Sequence, residues 1–284
     1  MLASSHLIAS ETFSRYIQTI VTGATVPHIS QSQIAAYQCR IPPLNDQDRI
    51  CEVLDAIDDL IENNRRRIEL MEQIAQDIYR EWFVRFRYPG HDGTFVDSSL
   101  GLIPHGWDVV SIGKVLELRY GKALKASDRR GGRVAVVGSS GVIGWHAEEF
   151  VPGPVIVVGR KGNVGNVIRI PGPCWPIDTT FYVSTELPLN YVAEQLKQAS
   201  FINSHAAVPG LSRDQANSLP FLLPPANVMA AFSEISAALG FQGETLHQQT
   251  DLLAQTRDFL LPGLVTGRID VSDLNLDALM ESVG

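Results

Sequence analysis

NDQDRICEVLDAIDDLIENNRRRIELMEQIAQDIYREWFVRFR, residues 45–87, decides the fold. Ile50, Leu54, Ile57, Ile61, Asn64, Ile68, Met71, Ala75, Ile78 and Trp82 recur in steps that alternate four and three. That spacing is the seam of a long coiled-coil helix. At 1.5 Å rise per residue the helix should run roughly 60 Å. Asn45 is the expected N-cap, with Asp48 three residues on. Asn64 falls in the seam, where a polar residue fixes register at some cost in stability.

A second seam lies near the other end: Val228, Phe232, Ile235, Leu239, Gln242, Leu246, Gln249, Leu253, Thr256 and Leu260. Both stretches follow a Pro-Pro pair, Pro42-Pro43 and Pro224-Pro225, at an offset of 182 residues. At that offset GATVPHISQSQIAAYQCRIPP (23–43) aligns without gaps to HAAVPGLSRDQANSLPFLLPP (205–225). Ala24/Ala206, Val26/Val208, Pro27/Pro209, Ser30/Ser212 and Gln33/Gln215 match. The chain therefore contains an internal repeat of lead-in plus long helix. Residues 1–44 correspond to 183–226, so the first repeat is expected to begin partway through its unit.

Composition narrows the class. With 284 residues, 45% hydrophobic and 19% charged, this is a globular chain of one or two domains. No apolar run reaches membrane-span length and no secretory leader opens it, so a cytoplasmic, reduced protein is expected. Cys39, Cys51 and Cys174 form neither a disulfide framework nor a metal motif. The net charge of −8 weighs against nucleic-acid binding, but its distribution is uneven. Asp46, Asp48, Glu52, Asp55, Asp58, Asp59 and Glu62 crowd the start of the first long helix.

The basic residues bunch between the helices. Arg119, Lys122, Lys125, Arg129, Arg130 and Arg133 lie in one glycine-containing stretch, and Arg160 with Lys161 in VGRKGNVG. Such clusters neutralise phosphates and release counterions. Tyr120 and Trp145 stand nearby as stacking or packing groups. Short strands are expected at 134–137, 155–158, 164–170 and 180–184, and a helix at 191–202. Before them LIASETFSRYIQTIV should be a helix burying Leu7, Ile8, Phe13, Ile17 and Ile20. RYPGHDGTFVDSSLGLIPHGWDVVSIGKV reads as a glycine- and proline-punctuated connector.

Three look-alikes are set aside. VAVVGSSGVIG resembles a strand entering a dinucleotide loop, but Pro152 and Gly153 stop any following helix. GRKGNVG lacks P-loop spacing; Gly159, Gly162 and Gly165 suit a tight turn or close backbone approach. His146 with Glu148 and Glu149, and Asp178 with Thr179 and Thr180, have no metal-ligand or nucleophile–base spacing. No catalytic residue, cofactor or metal site is expected.

Four stretches together resemble the specificity subunit of type I restriction–modification enzymes. They are IPPLNDQDRICEVLDAIDDLIENN, DSSLGLIPHGWDVVSIGKV, VGRKGNVGNV with CWPIDTTFYV, and AAVPGLSRDQANSLPFLLPP with the closing LLPGLVTGRI. The resemblance implies an α+β fold: a strand-rich target-recognition domain plus two long antiparallel coiled-coil helices. Its implied boundaries are 1–44 for the tail of a first recognition domain, 45–87 for the first helix and 88–225 for a complete recognition domain. Residues 226–267 would form the second helix and 268–284 a tail. The family reads double-stranded DNA without catalysing anything, and methyltransferase and restriction (motor–nuclease) subunits assemble on it. Having one complete recognition domain, the chain is expected to associate with a second copy or a complementary fragment. A competing reading from composition is a coiled-coil scaffold whose central domain binds protein.

Overall fold

The structure is a computed structural model of the chain and describes residues 11–21, 28–38, 42–201 and 210–269. Expectations about Leu7, Ile8, Cys39, Ile202 and most of the tail lie outside those residues. Two compact units form, one from residues 1–71 with 241–284 and one from residues 72–240.

In the first unit, helix α1 (Glu11–Ile20) sets Phe13 and Tyr16 against Tyr37, with ring centroids 5.1 and 4.9 Å apart. The short helix α2 (Gln31–Ala35) is capped by Ser30, whose hydroxyl accepts from the Gln33 N–H while the Ser30 N–H donates to Gln33 Oε1. This is the reciprocal box that satisfies two otherwise orphaned donors. The first long helix, α3, spans Leu44–Tyr79 and begins one residue before the expected cap. Asn45 is thus inside the first turn, and Gln47 Nε2 donates instead to the Pro42 carbonyl.

The second long helix, α7 (Ala226–Val265), returns antiparallel. Ile50 and Leu54 cluster with Leu261, Leu264 and Val265, and Arg257 reaches Asp58 at 2.7 Å. Asn64 is buried in the seam as expected, beside buried Ile61 and Ile68. On α7 the seam differs from the periodic reading. Gln242 and Thr256 are exposed; Gly243, Leu246, Thr250, Leu253, Leu261 and Leu264 face inward, with Arg257 half-buried. Polarity misled the register here: Thr250 hides its hydroxyl by donating to the Leu246 carbonyl at 2.8 Å, so it can face the partner helix. Among the described residues, no helix is long and apolar enough to cross a membrane.

In the second unit α3 continues into a π-helical turn, Arg80–Val84. It delivers Phe83 into a cluster with Tyr79, Trp107, Tyr191 and Phe232, at centroid distances from 4.8 to 5.8 Å. The chain then breaks direction at Phe86, a left-handed residue with φ of 57°. The stretch read as a connector holds a hairpin, β1 (Phe95–Ser98) with β2 (Gly101–Pro104), and then β3 (Asp108–Ser111) and the single turn α4 (Ile112–Val115).

Two sheets make the body of this unit. The first is β4–β10–β7–β8, all antiparallel: β4 (Glu117–Tyr120), β7 (Val155–Gly159), β8 (Val167–Ile170) and β10 (Thr180–Ser184). The second is β6–β5–β9, from β5 (Val134–Gly138), β6 (Gly141–His146) and β9 (Cys174–Pro176). VAVVGSSGVIG is therefore the β5–β6 hairpin. β7 reads as an unbroken apolar run because it is buried on both faces. Ile156 and Val158 join the main core, while Val155 and Val157 meet the second sheet's residues.

Helix α5 (Leu189–Gln198) covers the core with Tyr191, Val192, Ala193 and Leu196. The Tyr191 hydroxyl donates to the Leu222 carbonyl at 2.6 Å and the Tyr79 hydroxyl to Gln195 Oε1 at 2.8 Å, so both buried phenols are satisfied. Burial holds both well above the usual tyrosine range. The unit closes with α6 (Arg213–Ser218) and β11 (Pro220–Leu223), which pairs with β3. The repeat is structural as well as sequential. Ser212 caps α6 through the Gln215 N–H as Ser30 caps α2 through Gln33, and α3 and α7 begin at equivalent positions, Leu44 and Ala226.

Candidate nucleic-acid interface

The expected basic residues divide into two sets. The first surrounds the ends of β4 and β7. Gly121 lets β4 cross the 176–177 backbone, since a Cβ there would lie 2.1 Å from the Ile177 carbonyl oxygen. Gly159 is required by the β7–β8 turn, where a Cβ would lie 2.0 Å from the Asn163 carbonyl oxygen. This turn is VGRKGNVG, and it projects Arg160 and Lys161. The Arg160 N–H donates to the Thr179 carbonyl, and its own carbonyl accepts from the Leu211 N–H at 2.8 Å. The Arg160 guanidinium lies 5.0 Å from the Tyr120 ring centroid, and the Tyr120 ring in turn rests 5.0 Å from Phe181. Arg119 is occupied differently: it pairs with Glu117 at 2.7 Å, which holds its guanidinium above its usual basicity.

The second set lies on the segment before β5. Lys122 sits over two rings, 5.3 Å from Trp175 and 5.9 Å from Phe150, while its carbonyl accepts from the Trp175 indole. Lys125 and Arg133 are exposed and make no ion pair among the described residues. Arg129 turns inward; it is half-buried and donates to the Ile143 carbonyl at 2.8 Å beside Gly144. Its geometry is that of a brace between the basic segment and β6. Arg130 shares its charge with Glu148 at 3.3 Å, and its N–H donates to His146 Nδ1. His146 is buried edge-on to Trp175, so it has a structural role.

Sequence reasoning missed Arg213. It stands on α6, 93 residues from Tyr120, yet its guanidinium is 5.2 Å from the same ring. Trp145 and Val142 are exposed on β6. Among the described residues, no group of His, Cys, Asp and Glu is arranged to hold a metal ion.

The profile of the family described as "Type I restriction modification DNA specificity domain" matches residues 4–73. The chain is 31% identical over 117 residues to the type I restriction enzyme MjaIX specificity subunit of Methanocaldococcus jannaschii, covering 41% of this chain and 27% of that one. Part of the chain is therefore similar in sequence to type I specificity subunits. A second relative from the same organism, the MjaX specificity subunit named as putative, is 19% identical over 268 residues, covering 86% of this chain and 62% of that one. The chain thus spans less than two thirds of the length of these curated relatives. Among solved structures, the type I system S subunit from M. genitalium superposes with a TM-score of 0.61 at 17% identity, covering 93% of this chain and 72% of that one. That likeness carries the fold: two long helices with a strand-rich unit, as the sequence led us to expect.

Proposed function

We propose that this chain is a non-catalytic DNA-recognition subunit of a type I restriction–modification complex. The observation that carries the reading is where positive charge stands uncompensated. In a chain of net charge −8, Lys125, Arg133, Arg160, Lys161 and Arg213 make no ion pair among the described residues and all belong to the strand-rich unit, whereas Arg65 and Arg67, also unpaired there, are on α3 in the first unit. Duplex DNA is the ligand for such a surface, since phosphates take the cations and a few side chains then read base edges. Tyr120, Lys122, Lys125, Arg133, Arg160 and Lys161 are assigned to this face; Arg119 and Arg130 contribute through shared charge, and Arg129 braces the segment. The recognition unit corresponds to residues 88–225, with residues 1–44 as the tail of a first recognition domain.

Methyltransferase subunits, and through them restriction subunits, would dock on the helices. Phe241, Leu252 and Phe259 are exposed on α7 at spacings that return to one face of the helix. Such a stripe is a docking surface rather than a solvent face. A second copy or complementary fragment would complete a two-part site. The decisive experiment is selection of random duplexes by the purified chain with and without methyltransferase subunits. An enriched sequence, bound with steep salt dependence, supports the reading. Binding that is equal for all duplexes at every salt, or absent, overturns it.

A further inference from the structure

We propose that Arg160, Tyr120 and Arg213 form a built subsite for a single phosphodiester group, and that this subsite positions the recognition unit on its duplex. This rests on the reading of the chain as a DNA reader. Two guanidiniums approach one ring, at 5.0 and 5.2 Å from its centroid. Their charges are therefore no farther apart than about a Debye length at 0.1 M salt. Neither has a carboxylate partner among the described residues, although Asp178 and Asp214 lie close in sequence. Cation–π attraction holds each side chain against the ring but leaves its charge in place.

The backbone shows that the pair is positioned rather than incidental. Arg160 is tied to Thr179 on one side and to Leu211 on the other. Lys161 adds a β-bridge to Gly210. Leu211 is buried, and two residues later the chain delivers Arg213. One anchored junction thus presents both guanidiniums. Arg160 spends a donor on the Asp178 carbonyl at 3.2 Å, while the Arg213 side chain makes no hydrogen bond among the described residues. Each guanidinium has five N–H donors, so most remain for a ligand. The group that matches two forks of donors gathered at one ring, carries one negative charge and recurs along DNA is a backbone phosphate.

The test uses the full chain and its selected duplex, with one phosphate at a time replaced by a neutral methylphosphonate. Wild type should lose about tenfold in affinity at one position. Arg213→Ala should lose a similar factor on unmodified DNA, on target and scrambled duplex alike, and should lose less than wild type from that same methylphosphonate. Its salt slope should fall by about 0.9. Arg213→Lys, which keeps the charge and loses the fork, should fall between. Arg213 is exposed, so melting of the variants checks that the fold is intact. If Arg213→Ala and Arg160→Ala both bind with wild-type affinity and slope, the subsite is wrong while the DNA reading stands. If wild type itself shows no salt-dependent duplex binding, the DNA reading fails first.

Discussion

The two copies of the repeat share a cap, a length and a following helix, yet one is buried and the other bare. Leu211 is 3% exposed, and its counterpart Ile29 is 40% exposed. Ala216 is fully buried, and its counterpart Ile34 is 46% exposed. The second copy has a neighbour: α4 packs against α6 so closely that a Cβ on Gly113 would lie 3.0 Å from Asn217, and the Ile112 N–H donates to the Leu219 carbonyl. The first copy has its own cap and the rings of Phe13, Tyr16 and Tyr37, but nothing like α4 over Ile29 and Ile34 among the described residues. Local sequence decides that the turn of helix forms; a separate element decides whether it becomes core.

The comparison can be broken most sharply by charge. Leu211→Asp should unfold the strand-rich unit, a loss of more than about 4 kcal/mol in urea melts, because it buries an unpaired carboxylate. Ile29→Asp should stay within about 0.5 kcal/mol of wild type. Equal effects would mean that Ile29 is covered in solution. A reciprocal exchange comes next. Ala216→Ile should overpack and cost about 1–3 kcal/mol, whereas Ile34→Ala should cost less than about 0.5 kcal/mol. Thermal melting followed by tryptophan fluorescence reads both.

Ser212→Ala and Ser30→Ala probe what the copies share. Each should cost about 1 kcal/mol of local stability, read as faster amide exchange at Gln215 and Gln33. A marked difference would show that one cap depends on its surroundings. A small, salt-sensitive effect is expected in the helix pair. Arg257→Ala removes a part-exposed ion pair with Asp58 and should cost about 0.2–1 kcal/mol, shrinking in high salt.

Much of this was legible in the residues. The four-three steps on α3 give its buried face as far as Ile68, and the offset of 182 residues marks where both long helices begin. The strands at β5, β7 and β10 stand where their β-branched runs lie. The α7 seam was misread because hydropathy cannot show that Gly243 and Thr250 face inward while Phe241 and Phe259 stay outside. At the candidate interface, clustering in sequence located Arg160 and Lys161. It could not distinguish Arg129, which is half-buried and gives a donor to a backbone carbonyl, from Lys125, which is exposed and does not. Arg213 was invisible for the opposite reason. It is a solitary arginine, and the pairing of residues 160–161 with 210–211 brings it to Tyr120.

The π turn at Arg80–Val84 acts as a phase shifter. By closing its ring through one extra residue, as in the Arg85 N–H to Arg80 carbonyl bond, it moves the inward azimuth by about a hundred degrees, the angle one helical residue occupies. The inward face has moved from Ile78 to Tyr79 at the mouth of this turn, and Phe83 lies deeper than Trp82, which would have held the seam in an unbroken heptad count. Deleting one residue from this turn would restore the ordinary winding and send Phe83 off the aromatic cluster. The long helix would survive with its hydrogen bonds intact, and only Tyr79 would still hold Tyr191 and Phe232.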